Sequence, residues 1–342
     1  MTNQVRCAVL GLGRLGYYHA RNIINEVRGA KLVSVCDPMK GRAEQVAEEF
    51  GLEKWTDNPD VILEDPNIDA VIIVTPTSTH AEVIKKAAEH GKQIFVEKPL
   101  TLNLEESKEV IEKVKETSVI CQVGFMRRFD PAYADAKRRI DAGEIGKPIY
   151  FKGFTRDSGS PPPEFIKHSG GIFIDCSIHD YDIARYVMGA EITSVSGHGR
   201  ILNNPFMEEY GDVDQALTYL EFDSGAAGDV EASRTSPYGH DIRAEIIGTE
   251  GSIFVGTLRN QNVTILTSAG SNYEIIPDFQ TRFHEAYCLE LQHFAECVQT
   301  GKRPLVTEVD ATINLEIGIA ATDSYKTGKP VKIHMDKIHA DV

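Results

Sequence analysis

Residues 4–124 alternate short apolar runs with helical segments, and this alternation limits the possible folds more than any other feature of the chain. Apolar runs bounded by helices are typical of a parallel sheet covered on both faces. We therefore predict an N-terminal doubly wound α/β domain over residues 1–124. Its predicted strands are 5–10, 31–36, 70–74, 93–96 and 119–123, and its predicted helices are 15–27, 41–50, 78–90 and 104–117.

A glycine-rich turn, Gly11-Leu12-Gly13-Arg14-Leu15-Gly16, directly follows the first predicted strand and begins the first helix. In this context the first glycine permits a tight turn, the second lets the backbone approach a pyrophosphate, and the third lets helix and strand pack closely. The N-terminus of the helix then faces the anion. The motif predicts a dinucleotide site, and an ordinary turn between strand and helix is the alternative.

Asp37 lies at the end of the second predicted strand, 21 residues after Gly16. A carboxylate at this place binds the adenosine ribose hydroxyls and repels a 2′-phosphate. The sequence therefore predicts NAD rather than NADP as the cofactor. Lys40 and Arg42 support NADP only weakly, and a simple Asp-Pro turn is the other interpretation of Asp37.

Two polar loops follow later strands, at the edge of the sheet where ligands bind in such folds. They are Thr75-Pro76-Thr77-Ser78-Thr79-His80 and Glu97-Lys98-Pro99. A lysine that leaves a strand beside a cofactor is a candidate catalytic group. From composition alone, Lys98 could equally be an exposed lysine in an ion pair.

Residues 125–342 change to a strand-rich pattern that predicts a second domain. Turn sequences separate the runs, which is typical of a mostly antiparallel sheet. We predict an α+β domain, with an open sheet and helices on one face. Its predicted strands are 148–154, 192–201, 214–222, 226–234, 240–247, 252–255, 263–266 and 273–276, and its predicted helices are 131–142, 171–188, 282–300 and 308–327.

The predicted helix 171–188 carries Asp175 and His179 four residues apart, and hence on one face. A histidine oriented by a carboxylate is a suitable acid–base pair near neutral pH. Asp182 continues the face, so a solvated polar face and a metal site are alternatives. We expect no metal, because no third histidine lies at ligand spacing.

Composition excludes several classes of protein. The 342 residues are 42% apolar, and 51 acidic residues against 36 basic ones give a net charge of −15. This charge disfavours nucleic acid and anionic membranes as partners, and the longest apolar run, 70–74, is far too short to span a bilayer. The six cysteines form no Cys-x-x-Cys pair, so we expect a reduced, cytoplasmic protein.

Together these motifs resemble the glucose–fructose oxidoreductase and inositol dehydrogenase family (Gfo/Idh/MocA). The resemblance covers about residues 5–334. It rests on the glycine-rich turn, Asp37, Thr75-Pro76-Thr77, the run 91–99 ending in Glu-Lys-Pro, and the run 170–180. The segment 124–130, Gly-Phe-Met-Arg-Arg-Phe-Asp, looks like the inositol dehydrogenase branch. The resemblance implies reversible NAD-dependent oxidation of an inositol to 2-inosose, with scyllo-inositol favoured over myo-inositol, by a homotetramer.

The resemblance also implies catalytic roles for Lys98, Asp175 and His179 and a cis Lys98–Pro99 bond. His179 would accept the hydroxyl proton, Asp175 would orient it and contact an adjacent hydroxyl, and Lys98 would donate a hydrogen bond; the division between Lys98 and His179 stays open. The expected cofactor ligands are Gly11, Leu12, Gly13, Arg14, Leu15, Gly16, Asp37, Thr75, Pro76, Thr77, His80, Glu97 and Lys98.

A cyclitol is uncharged and carries six hydroxyls, so its site needs polar side chains that pair with each of them. We expect the substrate ligands to include Lys98, Asp175 and His179, together with Arg127, Asp157, Tyr238 and His284. The alternative for each of the last four is an ordinary surface residue.

Three other functions remain open at this point. They are an aldose 1-dehydrogenase acting on a glucose-like ring, a glycosidase that uses tightly held NAD, and a non-catalytic NAD-binding sensor. A sensor has no need to keep Lys98, Asp175 and His179 together. Release of NADH on mixing with a polyol separates the dehydrogenases from the other two.

Overall fold

The computed structural model describes residues 4–334 and contains two compact units. The first comprises the residues up to Phe129 and the segment Glu285–Leu315, and the second comprises Asp130–His284 and the residues from Glu316. The predicted domain boundary after residue 124 remains a prediction. The return of 285–315 to the first unit is a feature that the sequence pattern did not indicate.

The first unit is built on a six-stranded sheet in the order β3-β2-β1-β4-β5-β6, and all its pairings are parallel. This confirms the predicted Rossmann sheet. Both faces are covered, and every residue of β4 is buried. The strands are β1 Val5–Leu10, β2 Ala30–Cys36, β3 Trp55–Thr56, β4 Ala70–Ile73, β5 Gln93–Glu97 and β6 Cys121–Gly124, and the helices are α1 Arg14–Asn25, α2 Arg42–Phe50, α3 Pro59–Glu64, α4 His80–Glu89 and α5 Leu104–Thr117.

The helix that returns to the first unit completes its core. Leu291 and Phe294 pack into one cluster with Val9 of β1, Val35 of β2 and Ile72 of β4. Apolar side chains on this helix therefore replace water against the sheet, which is the main stabilising term in such packing. This helix is α11, His284–Thr300, and in chain order it follows five helices and eight strands of the second unit.

The second unit is built on a seven-stranded sheet in the order β12-β11-β7-β10-β9-β8-β15, in which only β7 and β10 pair in parallel among the described strands. The strands after β6 are β7 Pro148–Arg156, β8 Ile192–Arg200, β9 Gln215–Phe222, β10 Ala227–Ser233, β11 Asp241–Gly248, β12 Ser252–Val255, β13 Ile265–Thr267, β14 Gly270–Asn272 and β15 Val331–Lys332. The helices after α5 are α6 Pro131–Asp141, α7 Pro163–His168, α8 Ile172–Asp175, α9 Ile178–Met188, α10 Phe279–Arg282, α11 His284–Thr300 of the first unit, and α12 Glu308–Thr327.

The strands of this sheet alternate between covered and open sides. In β9, Ala216, Thr218 and Leu220 are buried, whereas Leu217 and Tyr219 are exposed. Such alternation is the pattern of a sheet with helices on one face. The predicted open, mostly antiparallel sheet is confirmed.

Three element predictions were wrong in detail. The helix predicted over 171–188 is two helices, α8 and α9, separated at Cys176 and Ser177. The strand predicted at 273–276 is not formed: β14 ends at Asn272, and Ile275 makes an isolated bridge with Arg259. The helix α7 lies within 157–170, a segment rich in Pro, Ser and Gly for which no helix was predicted. Within residues 4–334, no helix is both long and apolar enough to cross a membrane.

Candidate active site

The glycine-rich turn has the geometry that dinucleotide binding requires. Gly11 has a φ of +90°, and a Cβ there would lie 2.7 Å from the carbonyl oxygen of Val74. A Cβ on Gly16 would lie 1.9 Å from the carbonyl oxygen of Gly11, so helix and turn touch directly. Gly13, at the N-cap of α1, has no neighbouring atom within 4 Å of its Cβ position. The open space is thus at the glycine that faces the end of the helix, where an anion is stabilised.

Asp37 is bound to this turn. Its Oδ2 accepts a hydrogen bond from the Leu12 amide at 2.6 Å, and its Oδ1 accepts one from Met39 at 2.8 Å. The Nε of Arg42 donates to the Leu12 carbonyl oxygen at 3.0 Å. Arg42 therefore holds the turn in place, which weakens its candidacy as a ligand for a 2′-phosphate.

The loop after β4 is joined to the loop after β5 through His80. Its Nε2 lies 2.9 Å from the Thr75 carbonyl oxygen and its Nδ1 lies 3.0 Å from the Pro99 carbonyl oxygen. Burial lowers the pKa of His80, which favours the neutral ring, and a neutral ring donates through one of its two nitrogens at a time. His80 is buried, and its visible function is to connect the two loops. Direct contact with a cofactor stays a prediction for His80, as it does for Pro76 and Thr77.

Lys98 is half-buried and follows β5 directly, and its bond to Pro99 is cis. Its backbone amide donates to Glu97 Oε2 at 3.2 Å. The Glu97 carboxylate is buried and faces the interior, where its Oε1 lies 2.7 Å from His19 Nε2. Both carboxylate oxygens of Glu97 thus make contacts within the first unit, and its contact with the cofactor stays a prediction.

A third polar side chain, Glu290 of α11, lies beside this pair. One ligand-type atom from each of His19, Glu97 and Glu290 falls within 4.8 Å of the others, and all three side chains are buried. Neither carboxyl oxygen of Glu290 has a hydrogen-bond partner within residues 4–334. Burial and, to a smaller extent, the charge of Glu97 raise the pKa of Glu290 well above its usual range. The raised pKa favours the protonated, neutral form of Glu290.

In the second unit, α8 ends at Asp175, and His179 is the second residue of α9. Because the helix is interrupted between them, the simple four-residue spacing on one continuous face does not hold. Asp175 Oδ2 lies 3.4 Å from Arg234 Nη2. His179 is 9% exposed, and Asp180 and Asp182 are fully buried. The interpretation of this segment as a solvated polar face is therefore wrong.

Asp157 belongs to the same neighbourhood of the second unit. It directly follows β7, and its Oδ1 lies 3.3 Å from Nδ1 of the buried His240. Its Oδ2 lies 3.8 Å from the sulfur of Cys176, which also lies 3.9 Å from Asp175 Oδ2. The structure thus brings two of the predicted substrate ligands, Asp157 and Asp175, around one cysteine.

The other three predicted substrate ligands differ in their surroundings. Arg127 is 1% exposed, within the short helical turn after β6. Tyr238 is 41% exposed, and its hydroxyl donates to Asp241 at 2.8 Å and accepts from Arg156 at 3.0 Å. His284 is half-buried at the first residue of α11. Substrate contact by these three stays a prediction.

Sequence reasoning missed several residues that surround the predicted site residues within each unit: His19 and Glu290 in the first unit, and Asp212, Arg234 and His240 in the second. Of these, only Arg234 and His240 gave a usable signal, since each is a polar residue adjoining a strand end. The rest lie inside helices or loops with nothing in their local pattern to distinguish them.

The parallel sheet, the open glycine and the ribose-type carboxylate define a class of protein, the dinucleotide-binding oxidoreductases. A family model described as "Oxidoreductase family, NAD-binding Rossmann fold" matches residues 5–125, and one described as "Oxidoreductase family, C-terminal alpha/beta domain" matches residues 137–333. The chain belongs to this glucose–fructose oxidoreductase and inositol dehydrogenase family, as predicted.

Two curated relatives match over nearly their whole length. The scyllo-inositol 2-dehydrogenase (NAD(+)) of Bacillus subtilis is 80% identical over 339 residues, 99% of each chain. The myo-inositol 2-dehydrogenase of Thermotoga maritima is 38% identical, over 96% of this chain and 98% of the relative. A crystal structure of scyllo-inositol dehydrogenase from Lactobacillus casei with bound NAD(H) and scyllo-inositol has a TM-score of 0.91 at 28% identity, over 96% of this chain and 99% of that one.

Proposed function

We propose that this protein is an NAD-dependent inositol 2-dehydrogenase that oxidises scyllo-inositol in preference to myo-inositol. The observation that carries the proposal is the full-length, 80% identity to a scyllo-inositol 2-dehydrogenase (NAD(+)), together with intact Lys98, Asp175 and His179. An aldose dehydrogenase, a glycosidase and a sensor have no comparable support.

The first unit fits NAD on its own geometry. Gly13 leaves open space at the N-terminus of α1, and Asp37 presents a carboxylate at the end of β2. When bound, NAD supplies the acceptor for the hydride. Gly11 to Gly16 would hold the pyrophosphate, Asp37 the adenosine ribose, and the loop from Thr75 to Thr77 the remaining part of the dinucleotide.

The chain's own side chains supply orientation and proton transfer. In our proposal His179 accepts the proton of the reacting hydroxyl, Lys98 donates a hydrogen bond to the same oxygen, and Asp175 binds a neighbouring hydroxyl. Asp157, which is 33% exposed in its side chain, is available to a further hydroxyl. A negative oxygen that develops during the reaction is stabilised by the Lys98 ammonium group.

The test measures NADH absorbance with purified protein, NAD and separate additions of scyllo-inositol, myo-inositol and glucose, repeated with NADP. NADH formation with scyllo-inositol and NAD at the highest kcat/KM is the expected result. A higher kcat/KM for myo-inositol would overturn the stereochemical preference alone. Absence of NADH with every polyol, with NAD retained through purification, would overturn the dehydrogenase proposal.

We also propose that the protein is a cytoplasmic homotetramer. The open side of the second sheet supports an assembly, because Leu217, Tyr219 and Phe254 are 43%, 41% and 76% exposed. The six free cysteines support a reducing compartment. Light scattering of the purified protein measures the mass, and a monomer at micromolar concentration would rule the tetramer out.

A further inference from the structure

Arg234 is a fully buried arginine for which the proposed reaction has no assigned role. It follows β10 directly, and its side chain is 0% exposed. Its Nη2 lies 3.4 Å from Asp175 Oδ2 and 3.6 Å from Asp212 Oδ2. Its Nε and Nη1 are buried and lack hydrogen-bond partners among the described residues. The two carboxylates are thus the groups that contact this buried cation.

Asp212 connects Arg234 to the other end of α8. Its Oδ1 accepts a hydrogen bond from the Ile172 amide, the first amide of that helix, at 2.9 Å. A Cβ on Gly171 would lie 3.1 Å from the same oxygen, and Gly171 has a φ of +88°. Asp212 therefore holds the start of the four-residue helix, while Arg234 holds Asp175 at its end.

A helix of four residues has little stability of its own, because most of its backbone groups lack partners within the helix. The position of the Asp175 carboxylate must then come from contacts outside α8. Asp212 contacts the start of the helix and Arg234 contacts the carboxylate at its end, and the two side chains lie 3.6 Å apart. Burial by itself would lower the pKa of Arg234, but the surrounding negative groups, including Asp175, Asp212 and Asp157, outweigh it and keep the guanidinium charged.

We infer that Arg234 and Asp212 are positioning residues that fix the Asp175 carboxylate for the substrate. The inference rests on the proposed function, in which Asp175 binds a substrate hydroxyl. A buried ion pair is weak support for stability, since burying the charges offsets much of their attraction. Holding a reacting group in one geometry is a function for which such a pair is well suited, because small displacements slow catalysis strongly.

The kinetic experiment is a double-mutant cycle between Arg234 and Asp175 in the full-length enzyme. We expect Arg234→Met to lower kcat/KM for scyllo-inositol on the order of 100-fold, while the Kd for NAD changes less than about twofold. Arg234→Lys, which keeps the charge, should recover part of the loss. In an Asp175→Asn background, Arg234→Met should add less than about a threefold further loss.

Full additivity of the two substitutions, or near-normal kcat/KM for Arg234→Met, would overturn the inference. If Arg234→Met does not fold, Asp212→Asn takes its place in the cycle, because asparagine keeps an acceptor for the Ile172 amide and removes the charge. Asp212→Asn should show the same non-additivity with Asp175→Asn, and additivity would again overturn the inference.

A second readout needs no activity. Hydrogen–deuterium exchange of the peptide spanning 171–176 should be faster in Arg234→Met than in the wild type, with the peptides of β1 and β4 unchanged. Unchanged exchange in 171–176 would contradict the positioning function even in an active enzyme. The two proposals can fail separately. If the wild type is inactive on every inositol but exchange in 171–176 is still faster in Arg234→Met, the proposed function is refuted and the placement of Asp175 by Arg234 stays supported.

Discussion

His19 Nε2 lies 2.7 Å from Glu97 Oε1, and both side chains are buried. His19 belongs to the helix that begins at the glycine-rich turn, and Glu97 immediately precedes Lys98. One hydrogen bond thus links α1 to the residue that precedes the proposed catalytic lysine. The Glu97 carboxylate also accepts from the Lys98 amide, so the conformation of the backbone at Lys98 depends on it.

Replacing His19 by alanine removes the partner of one oxygen, Oε1, of the buried Glu97 carboxylate. We expect the free energy of unfolding to fall by about 1–3 kcal/mol, since the unsatisfied group keeps its desolvation penalty. Urea denaturation followed by circular dichroism measures the change. His90→Ala is the matched control, because His90 is exposed, and an equal effect of both substitutions would contradict the importance of the His19–Glu97 contact.

Glu290 should make the stability of the protein depend on pH. Because its pKa is raised in the folded state, mainly by burial, its contribution is fully present below the ordinary pKa of 4.5 and is lost as pH rises from there through the raised value. Glu290→Gln keeps the neutral shape and cannot ionise. The stability of this variant relative to the wild type should therefore increase with pH.

Urea denaturation of both proteins at several pH values from 5 to 9 checks this expectation. The control is Glu285→Gln, on an exposed residue of the same helix. Parallel stability curves for the wild type and Glu290→Gln would show that Glu290 does not titrate differently on folding.

Alanine at Gly13 and alanine at Gly16 should affect different properties: the first should weaken NAD binding, and the second should lower the stability of the protein. Gly13 has a φ of −64° and open space at its Cβ position, so Gly13→Ala should leave the free energy of unfolding within about 1 kcal/mol. It should nonetheless weaken NAD binding by about tenfold or more, because the methyl group occupies the space for the pyrophosphate. Gly16→Ala should destabilise the protein by about 3 kcal/mol or more, since its Cβ would overlap the Gly11 carbonyl.

Calorimetric titration with NAD and urea denaturation separate the two effects. Normal NAD affinity in Gly13→Ala would show that the dinucleotide does not approach the backbone at this point.

Asp37 should determine the choice of cofactor. In Asp37→Ser the repulsion of a 2′-phosphate is removed, so the ratio of kcat/KM for NAD over NADP should fall by about 100-fold. The variant also loses the strong acceptor for the Leu12 amide, which should raise the KM for NAD. Asp57→Ser has the same change of net charge at an exposed position, and a similar loss of preference in this control would assign the effect to overall charge.

Lys98 should be required for turnover but not for binding NAD. We expect Lys98→Met to lower kcat by at least about 10³-fold, because the developing oxyanion loses its positive partner, while the Kd for NAD stays within about threefold. Steady-state kinetics and fluorescence titration with NADH measure the two quantities. Lys31→Met, at an exposed position, is the control, and near-normal turnover of Lys98→Met would remove Lys98 from the mechanism.

The sequence by itself determined the parts of this protein that depend on local pattern. Buried parallel strands read as continuous apolar runs, as at 70–74, and the glycine-rich turn can be recognised because each glycine answers a local steric need. Asp37 could be placed for the same reason, since its distance from the turn follows from one strand and one helix. The motifs around Lys98 and Asp175 indicated the family to which the chain belongs.

Only the tertiary structure decided which distant polar groups are paired inside the protein. Glu97 and His19 are separated by 78 residues, and Arg234 and Asp175 by 59. The break between α8 and α9 and the return of 285–315 to the first unit belong to the same category. The periodicity of a sequence indicates which face of a helix or strand is apolar. The partner of a buried charge depends on how segments far apart in the chain pack together, and this cannot be predicted from a local pattern.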